Sequence, residues 1–434
     1  MRMIAILSSL ALAGDPDIPF SRYELDNGLD VTLSPDTSVP FVCVNVWYDV
    51  GSKDEVAGRS GFAHLFEHLM FNGSQHADDD FFAPLQPLGA RLNGSTTLDR
   101  TNYYECLPSE HLPLALFLEA DRMGWLLPAL TPEKLQNQKD VVRNERRQNY
   151  DNPPYGQSWL EILKNAYPEG HPYHIATIGL HEDIDAASLD DVSAFFKKWY
   201  LPNNASLVLT GDFDEPVARE LIARYFGPVA RGPAPEHLKP PAPAVFTEER
   251  RVRATDDVPF ERVWVVWHSP ALYAPDDAEL DLLSSALASG KDSRLYKALV
   301  HESQIAQDVS AYQSSNAWES LYVISAQASA GHTGEELVAA IDKVLAEART
   351  RPITQGELEV GRTAYEVQFF GSIASIQGKA DLLNGYITRT GDAGYLKNDL
   401  GRYRAATAEG VNAALARWLP PDRRLVLTIG PEVK

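Results

Sequence analysis

The chain repeats itself. Val39-Pro40-Phe41, running into the apolar stretch Val42–Trp47, returns as Val258-Pro259-Phe260 and Val263–Trp267. In each half an apolar helical stretch ending in glycine follows: Gly61 to Gly73 in the first, Ala278 to Gly290 in the second. Next come two strand-like runs (Arg91–Leu107 and Gln307–Ser325) and a helix (Pro113–Trp125 and Gly334–Arg349). A short apolar strand comes late in each half, Ala205–Thr210 and Leu425–Ile429. Between the halves lies Gly232–Ala244, GPAPEHLKPPAPA, whose five prolines remove backbone donors and rule out regular structure. At 434 residues the chain exceeds one ordinary core. The pattern predicts an α+β protein of two homologous halves in tandem, each an antiparallel-rich sheet covered by helices. Residues 15–230 form the first domain, 231–245 the linker and 246–434 the second domain.

Local signals agree. Tyr23–Leu33 alternates around Asp26-Asn27-Gly28, a hairpin turn. Phe41–Val50 alternates as a strand. Asn72-Gly73 marks a helix C-terminus, and Asp78–Pro87 reads as a short helix or loop. Thr131-Pro132-Glu133 opens a helix, with threonine as N-cap and proline in the first turn. That helix runs to about Asn149, before Pro153-Pro154. Asp190–Trp199 and Glu215–Tyr225 are further helices.

The formal charge of −21 argues against nucleic acid and anionic membranes as partners. Arg2, the apolar stretch Met3–Ala13 and the Ala11-Leu12-Ala13 site read as a signal peptide over residues 1–13. A periplasmic or secreted protein is expected. No later segment has the roughly 18 uninterrupted apolar residues of a membrane span. Cys43 and Cys106 lie in strand-like stretches; they either pair or stay as buried thiols, and the thiols are favoured.

The chemistry concentrates in Gly61–Ser74, GFAHLFEHLMFNGS. His64 and His68 stand four apart, one helical turn along the same face, where two imidazoles can share a metal. Glu67 borders that face and can take a proton from a water on the metal. Two such histidines could also be plain surface residues. Here, though, they sit in an apolar run where unpartnered polar groups are costly. The pattern H-x-x-E-H is the inverzincin order. A catalytic zinc keeps three protein ligands and one open position. Glu119, Asp121 and Glu145 are the candidates for the third, with Glu119 and Glu145 close rivals. Aligning Gly73 with Gly290 sets Asp281 opposite His64, Ser284 opposite Glu67 and Ser285 opposite His68. The second half therefore has the helix without the ligands.

Several motifs occur together: His64-x-x-Glu67-His68; Leu92-Asn93-Gly94-Ser95-Thr96 followed by Asp99-x-Thr101-x-Tyr103; Asp140-Val141-Val142-x-x-Glu145; and Tyr200-x-Pro202-x-Asn204 followed by Gly211-Asp212. In these the chain resembles the pitrilysin/insulinase-like zinc metallopeptidases, especially the small mitochondrial-processing-peptidase-like members. The resemblance implies half of a clamshell, one Zn²⁺ per chain and endopeptidase activity on unfolded peptides. It implies His64, His68 and Glu145 as ligands, Glu145 lying 77 residues after His68, and Glu67 as general base. It also implies that Asn93, Gly94 and Ser95 lie on the edge strand to which substrate adds. Where many relatives carry a second glutamate, this chain has Gln138, an amide that could still orient a ligand. Single-chain relatives bind the substrate carbonyl with an Arg and a Tyr seven apart; here Val300 and Gln307 occupy those positions. The expected assembly is therefore a heterodimer with a homologous subunit that carries the Arg/Tyr pair, with a homodimer as the alternative. A non-catalytic assembly or scaffold subunit of the same fold is the rival reading.

Overall fold

The computed structural model describes residues 16–78 and 80–432. The signal-peptide assignment lies outside the described residues. The first half opens with β1 (Ser21–Glu24), β2 (Asp30–Pro35) and β3 (Phe41–Tyr48). Helix α1 (Phe62–Leu69), the hairpin β4 (Arg91–Thr96) and β5 (Thr101–Pro108), and α2 (Leu112–Trp125) follow. Next come α3 (Pro132–Arg146), α4 (Ser158–Ala166), α5 (His181–Ala186), α6 (Leu189–Trp199), β6 (Ala205–Gly211) and α7 (Glu215–Phe226). The second half holds β7 (Arg250–Thr255), β8 (Arg262–Ser269), α8 (Asp277–Ala288), β9 (Ala306–Ser314), β10 (Ser320–Ala328) and α9 (Gly334–Thr350). It closes with α10 (Gln355–Ile373), α11 (Ile376–Thr390), α12 (Leu396–Ala405), α13 (Ala408–Trp418) and β11 (Leu425–Gly430).

The two sheets have one design. The first runs β1-β2-β6-β3-β5-β4 and the second β7-β11-β8-β10-β9. Leaving β1 aside, every neighbour matches: one parallel pair (β2 with β6, β7 with β11), then antiparallel pairs out to an edge hairpin. The repeat read from the sequence is thus a repeat of topology. Each half also covers the other. Helix α11 of the second half packs on β3 and β6 of the first sheet, and α4 of the first half packs on β8 and β11 of the second. Asn384 of α11 donates to the Asn45 carbonyl at 2.9 Å and accepts from the Ser206 hydroxyl at 2.7 Å, inside that seam. The Pro-rich segment 231–249 has no regular structure.

Two local expectations change. Helix α1 ends at Leu69, with Met70 as its cap, and not at Asn72-Gly73. Gly73, with φ of 85°, shapes the turn that follows. Cys43 and Cys106 are bonded to each other and not free. The physical reason is register: β3 and β5 place them directly opposite one another, with Cα atoms 4.0 Å apart. A slip of one residue would have turned them to opposite faces.

Candidate active site

Helix α1 is almost wholly buried; His64 and His68 are its two residues that are not. Its first turn is capped from a loop. The Glu55 carboxylate accepts from the Gly61 and Ala63 N–H groups at 2.9 and 2.8 Å, meeting orphan donors of a helix start. Burial pushes that carboxyl up to about 8, against the pull of these hydrogen bonds. Gly61 has φ of 81°, and its backbone touches that of Gly179; a Cβ on Gly179 would lie 2.5 Å from the Gly61 Cα. Arg146, one residue past Glu145, donates to the Gly179 carbonyl. The start of α1 and the end of α3 are therefore tied through one glycine pair.

At this junction three side chains converge. His68 Nε2 lies 3.3 Å from His64 Nε2 and 3.2 Å from Glu145 Oε2, and His64 Nε2 lies 3.6 Å from the same oxygen. Two bonds of 2.0–2.1 Å meeting at the tetrahedral angle set ligand atoms about 3.4 Å apart. The three spacings straddle that value, and a two-histidine, one-carboxylate set is a known catalytic zinc donor set. The residues present fit the metal. Among the described residues this is the one group of three or more His, Cys, Asp or Glu side chains gathered closely enough to hold an ion. Burial and the neighbouring His68 hold His64 down at about 4, so it is neutral, the form a metal requires. The hydrogen bond from His68 keeps Glu145 below the usual carboxylate range.

The rival carboxylates are engaged elsewhere. Glu119 is fully buried and paired with Arg122 through two hydrogen bonds. Asp121 accepts from Ser74 and from His76. Gln138 reaches the ligands only through an intermediary: its amide donates to Asn72 Oδ1 at 3.1 Å, and Asn72 donates to the His68 carbonyl at 2.9 Å.

Glu67 stays apart from the three ligands and accepts from the Thr96 hydroxyl at 2.6 Å. Burial pushes its carboxyl up, and the Thr96 hydrogen bond opposes that. Its side chain lies against β4: a Cβ on Gly94 would sit 3.1 Å from Glu67 Cγ and Oε1. The lack of a side chain at 94 lets edge strand and carboxylate touch. Thr97 N–H donates to the Arg100 carbonyl at 2.9 Å, which closes the hairpin and fixes its phase. Asn93 and Ser95 then direct their backbone groups toward β5, while Leu92, Gly94 and Thr96 direct theirs to the open edge. Asn93 Oδ1 accepts the outward Gly94 N–H at 2.9 Å. Ser95 turns its side chain to the opposite face, where the hydroxyl meets Asn102 and Arg100.

In the second half the corresponding helix face is closed. Asp281 accepts from the Tyr403 hydroxyl at 2.6 Å and the Gln313 amide at 3.0 Å. Helix α10 lies over Ser285, so close that a Cβ on Gly361 would be 3.1 Å from it. Nothing in the sequence points to Glu55; Thr96 lies inside one of its motifs, and Asn72 reads there only as a helix C-terminus and not as a support for His68.

Residues 31–179 match the family model "Insulinase (Peptidase family M16)", and residues 186–365 match "Peptidase M16 inactive domain". The zinc protease PqqE of Helicobacter pylori (strain ATCC 700392 / 26695) is 30% identical over 372 residues, 84% of this chain and 82% of that one. The chain belongs to the insulinase-like (M16) peptidase family. The crystal structure of a protease from Helicobacter pylori superposes with a TM-score of 0.86 at 27% identity, covering 95% of this chain and 99% of that one. The periplasmic protease PqqL of Escherichia coli shares the fold at 16% identity and a TM-score of 0.78; 96% of this chain covers 48% of that longer one. An M16 chain of this length thus matches about half of the larger molecule.

Proposed function

We propose that this chain is a zinc-dependent endopeptidase acting on extended, unfolded peptides. One observation carries the reading: three ligand atoms stand at tetrahedral spacing, and Glu67 stands apart from them beside an open strand edge. His64, His68 and Glu145 would hold Zn²⁺, which would supply a Lewis acid for the scissile carbonyl and for the attacking water. Glu67 takes a proton from the attacking water and returns it to the leaving amine. The raised proton affinity that burial gives it suits both steps. The open backbone groups of Leu92, Gly94 and Thr96 pair with the substrate as an added strand. A peptide that takes the Gly94 N–H replaces the Asn93 contact. Main-chain pairing accepts many sequences and rejects folded ones. The names of relatives such as PqqE support the activity and the metal.

The chain supplies no Arg/Tyr pair at the aligned positions. Val300 packs into the second-half core, and Gln307 donates its amide to the Ala328 carbonyl at 2.9 Å. We read the chain as the metal-bearing subunit of a two-subunit peptidase, its homologous partner contributing the carbonyl-binding pair. A homodimer with other donors is the alternative. A missing stabiliser of this type is worth on the order of 100-fold in rate. The Cys43–Cys106 bond and the leader-like Arg2–Ala13 support an oxidising, periplasmic or secreted setting. Among the described residues no helix is long and apolar enough to cross a membrane.

The test is hydrolysis of a quenched fluorescent peptide mixture by the zinc-loaded chain, with Glu67→Gln and o-phenanthroline as controls. Turnover lost in both controls supports the reading. A zinc-loaded chain that turns over only with a co-purified homologue supports the two-subunit form. A zinc-loaded chain inactive with or without its partner is a non-catalytic subunit.

A further inference from the structure

The two halves meet at the tips of corresponding hairpins. The turn between β4 and β5 and the turn between β9 and β10 occupy matching places in the two sheets. Asp99 lies where they touch, 7% exposed. Its Oδ2 accepts the Ala317 N–H of the second half at 2.8 Å, and its Oδ1 accepts the Tyr173 hydroxyl at 2.5 Å. Trp318 stacks on the Tyr173 ring with centroids 5.5 Å apart, and its N–H lies 3.3 Å from the Tyr173 oxygen. Lys53 Nζ donates to the Asp99 carbonyl at 3.3 Å and sits 5.7 Å over the Trp318 ring. The backbone of the Lys53 segment seats the turn as well. Ser52 N–H donates to the Thr97 carbonyl at 3.2 Å and Lys53 N–H to the Leu98 carbonyl at 2.9 Å.

A buried carboxylate is costly unless its oxygens are satisfied, and both oxygens of Asp99 are. Its position gives the arrangement a use. The turn is the closed end of β4, an edge strand with one neighbour, β5. Thr96, immediately before the turn, holds Glu67. The attitude of β4 toward Glu67 is therefore set at the turn, and one wall of the turn's seat belongs to the second half.

We propose that Asp99 is a positioning residue through which the C-terminal half holds the edge strand in the pose that receives a peptide. This rests on the reading of β4 as the strand to which substrate adds. It also gives the half without ligands a task in the reaction.

Hydrogen–deuterium exchange on the full zinc-loaded chain tests it, comparing Asp99→Asn and Tyr173→Phe with wild type, alongside KM and kcat on a quenched peptide. In Asp99→Asn the amides of residues 91–107 should exchange about 10-fold faster. Zinc content and exchange elsewhere should hold. KM should rise roughly fivefold, with kcat within about twofold. Tyr173→Phe, which keeps the Ala317 bond, should fall between. Unchanged exchange over 91–107 overturns the proposal. So does protection lost evenly through both halves, which would leave Asp99 a purely structural residue, or a fall in kcat at constant KM, which would mean that the turn acts on Glu67 and not on the reception of the peptide. Exchange needs no turnover. If the chain cleaves nothing, the peptidase reading fails, and the exchange result still decides whether the second half orders β4.

Discussion

The Thr96 hydroxyl donates to Glu67 Oε2 at 2.6 Å, so the strand offered to a peptide also holds the carboxylate that moves the proton. Hydrogen bonds to charged groups contribute about 1.5–3 kcal/mol. Thr96→Val keeps the shape and removes the donor. Its kcat should fall by at least about 10-fold while zinc content, measured by elemental mass spectrometry, stays at wild type. Thr96→Ser should recover most of the rate. Equal rates for valine and threonine would show that Glu67 is oriented by something else.

Gly94 offers a steric test of the same contact. An added Cβ lies 3.1 Å from Glu67 Cγ and Oε1 and 3.2 Å from the Asn102 carbonyl oxygen. Gly94→Ala must push the end of the Glu67 side chain aside. Peptide hydrolysis should fall by more than about 10-fold, whereas Tm should stay within about 3 °C, since one methyl at a sheet edge disturbs little of the core. An active Gly94→Ala chain would place the reacting carboxylate elsewhere.

The two rival carboxylates separate by their surroundings. Glu145→Gln should weaken zinc binding by more than about 100-fold, because even partners beyond the ligands account for 10–100-fold. Glu119→Gln leaves Arg122, 1% exposed, partly unpaired in the core. It should cost about 3 kcal/mol of stability and leave zinc affinity unchanged. Zinc titration and urea unfolding on both variants check this. A Glu119→Gln chain that loses zinc while folded would reverse the assignment.

What the sequence made legible was local or repeated. The α1 ligand pair follows from helical spacing, the Thr131 cap from its three-residue pattern, and the tandem sheets from two similar runs of apolar strands. The remainder depends on who packs against whom. Helices α4 and α10 to α13 carry ordinary amphipathic patterns, and nothing in α11 shows that it will cover the other half's sheet. Glu55 looks like any loop glutamate until the start of α1 folds onto it. The cysteines were misjudged because pairing follows strand register, which alternation alone leaves open. Asp99 and Ala317 meet only after both hairpins exist, so their bond has no trace in sequence spacing.

Glu319 predicts a pH signature at the seam between the halves. Its Oε1 lies 2.8 Å from His171 Nε2, its Oε2 accepts the Ala244 N–H at 3.0 Å, and His268 Nδ1 stands 3.7 Å away. Tyr173 N–H donates to His171 Nδ1 at 3.0 Å, which leaves the ring proton on Nε2, where it makes no hydrogen bond to the nearby Glu319 carboxyl. Burial raises the Glu319 carboxyl from 4.5 to about 7, keeps His171 below its ordinary value and holds His268 at about 4. Between pH 4.5 and about 7 the folded chain keeps a proton on Glu319 that the unfolded chain has lost. Stability from this group is therefore highest below 4.5 and falls as pH rises toward 7. The histidines run the other way, losing stability as pH drops below 6.5, because the unfolded chain binds the protons they refuse. Glu319→Gln removes only the first effect. Relative to wild type, its unfolding free energy should improve by about 1 kcal/mol between pH 5 and pH 7.5. Parallel pH profiles for the two chains in urea titrations would mean that Glu319 is already ionised at the acid end of that range.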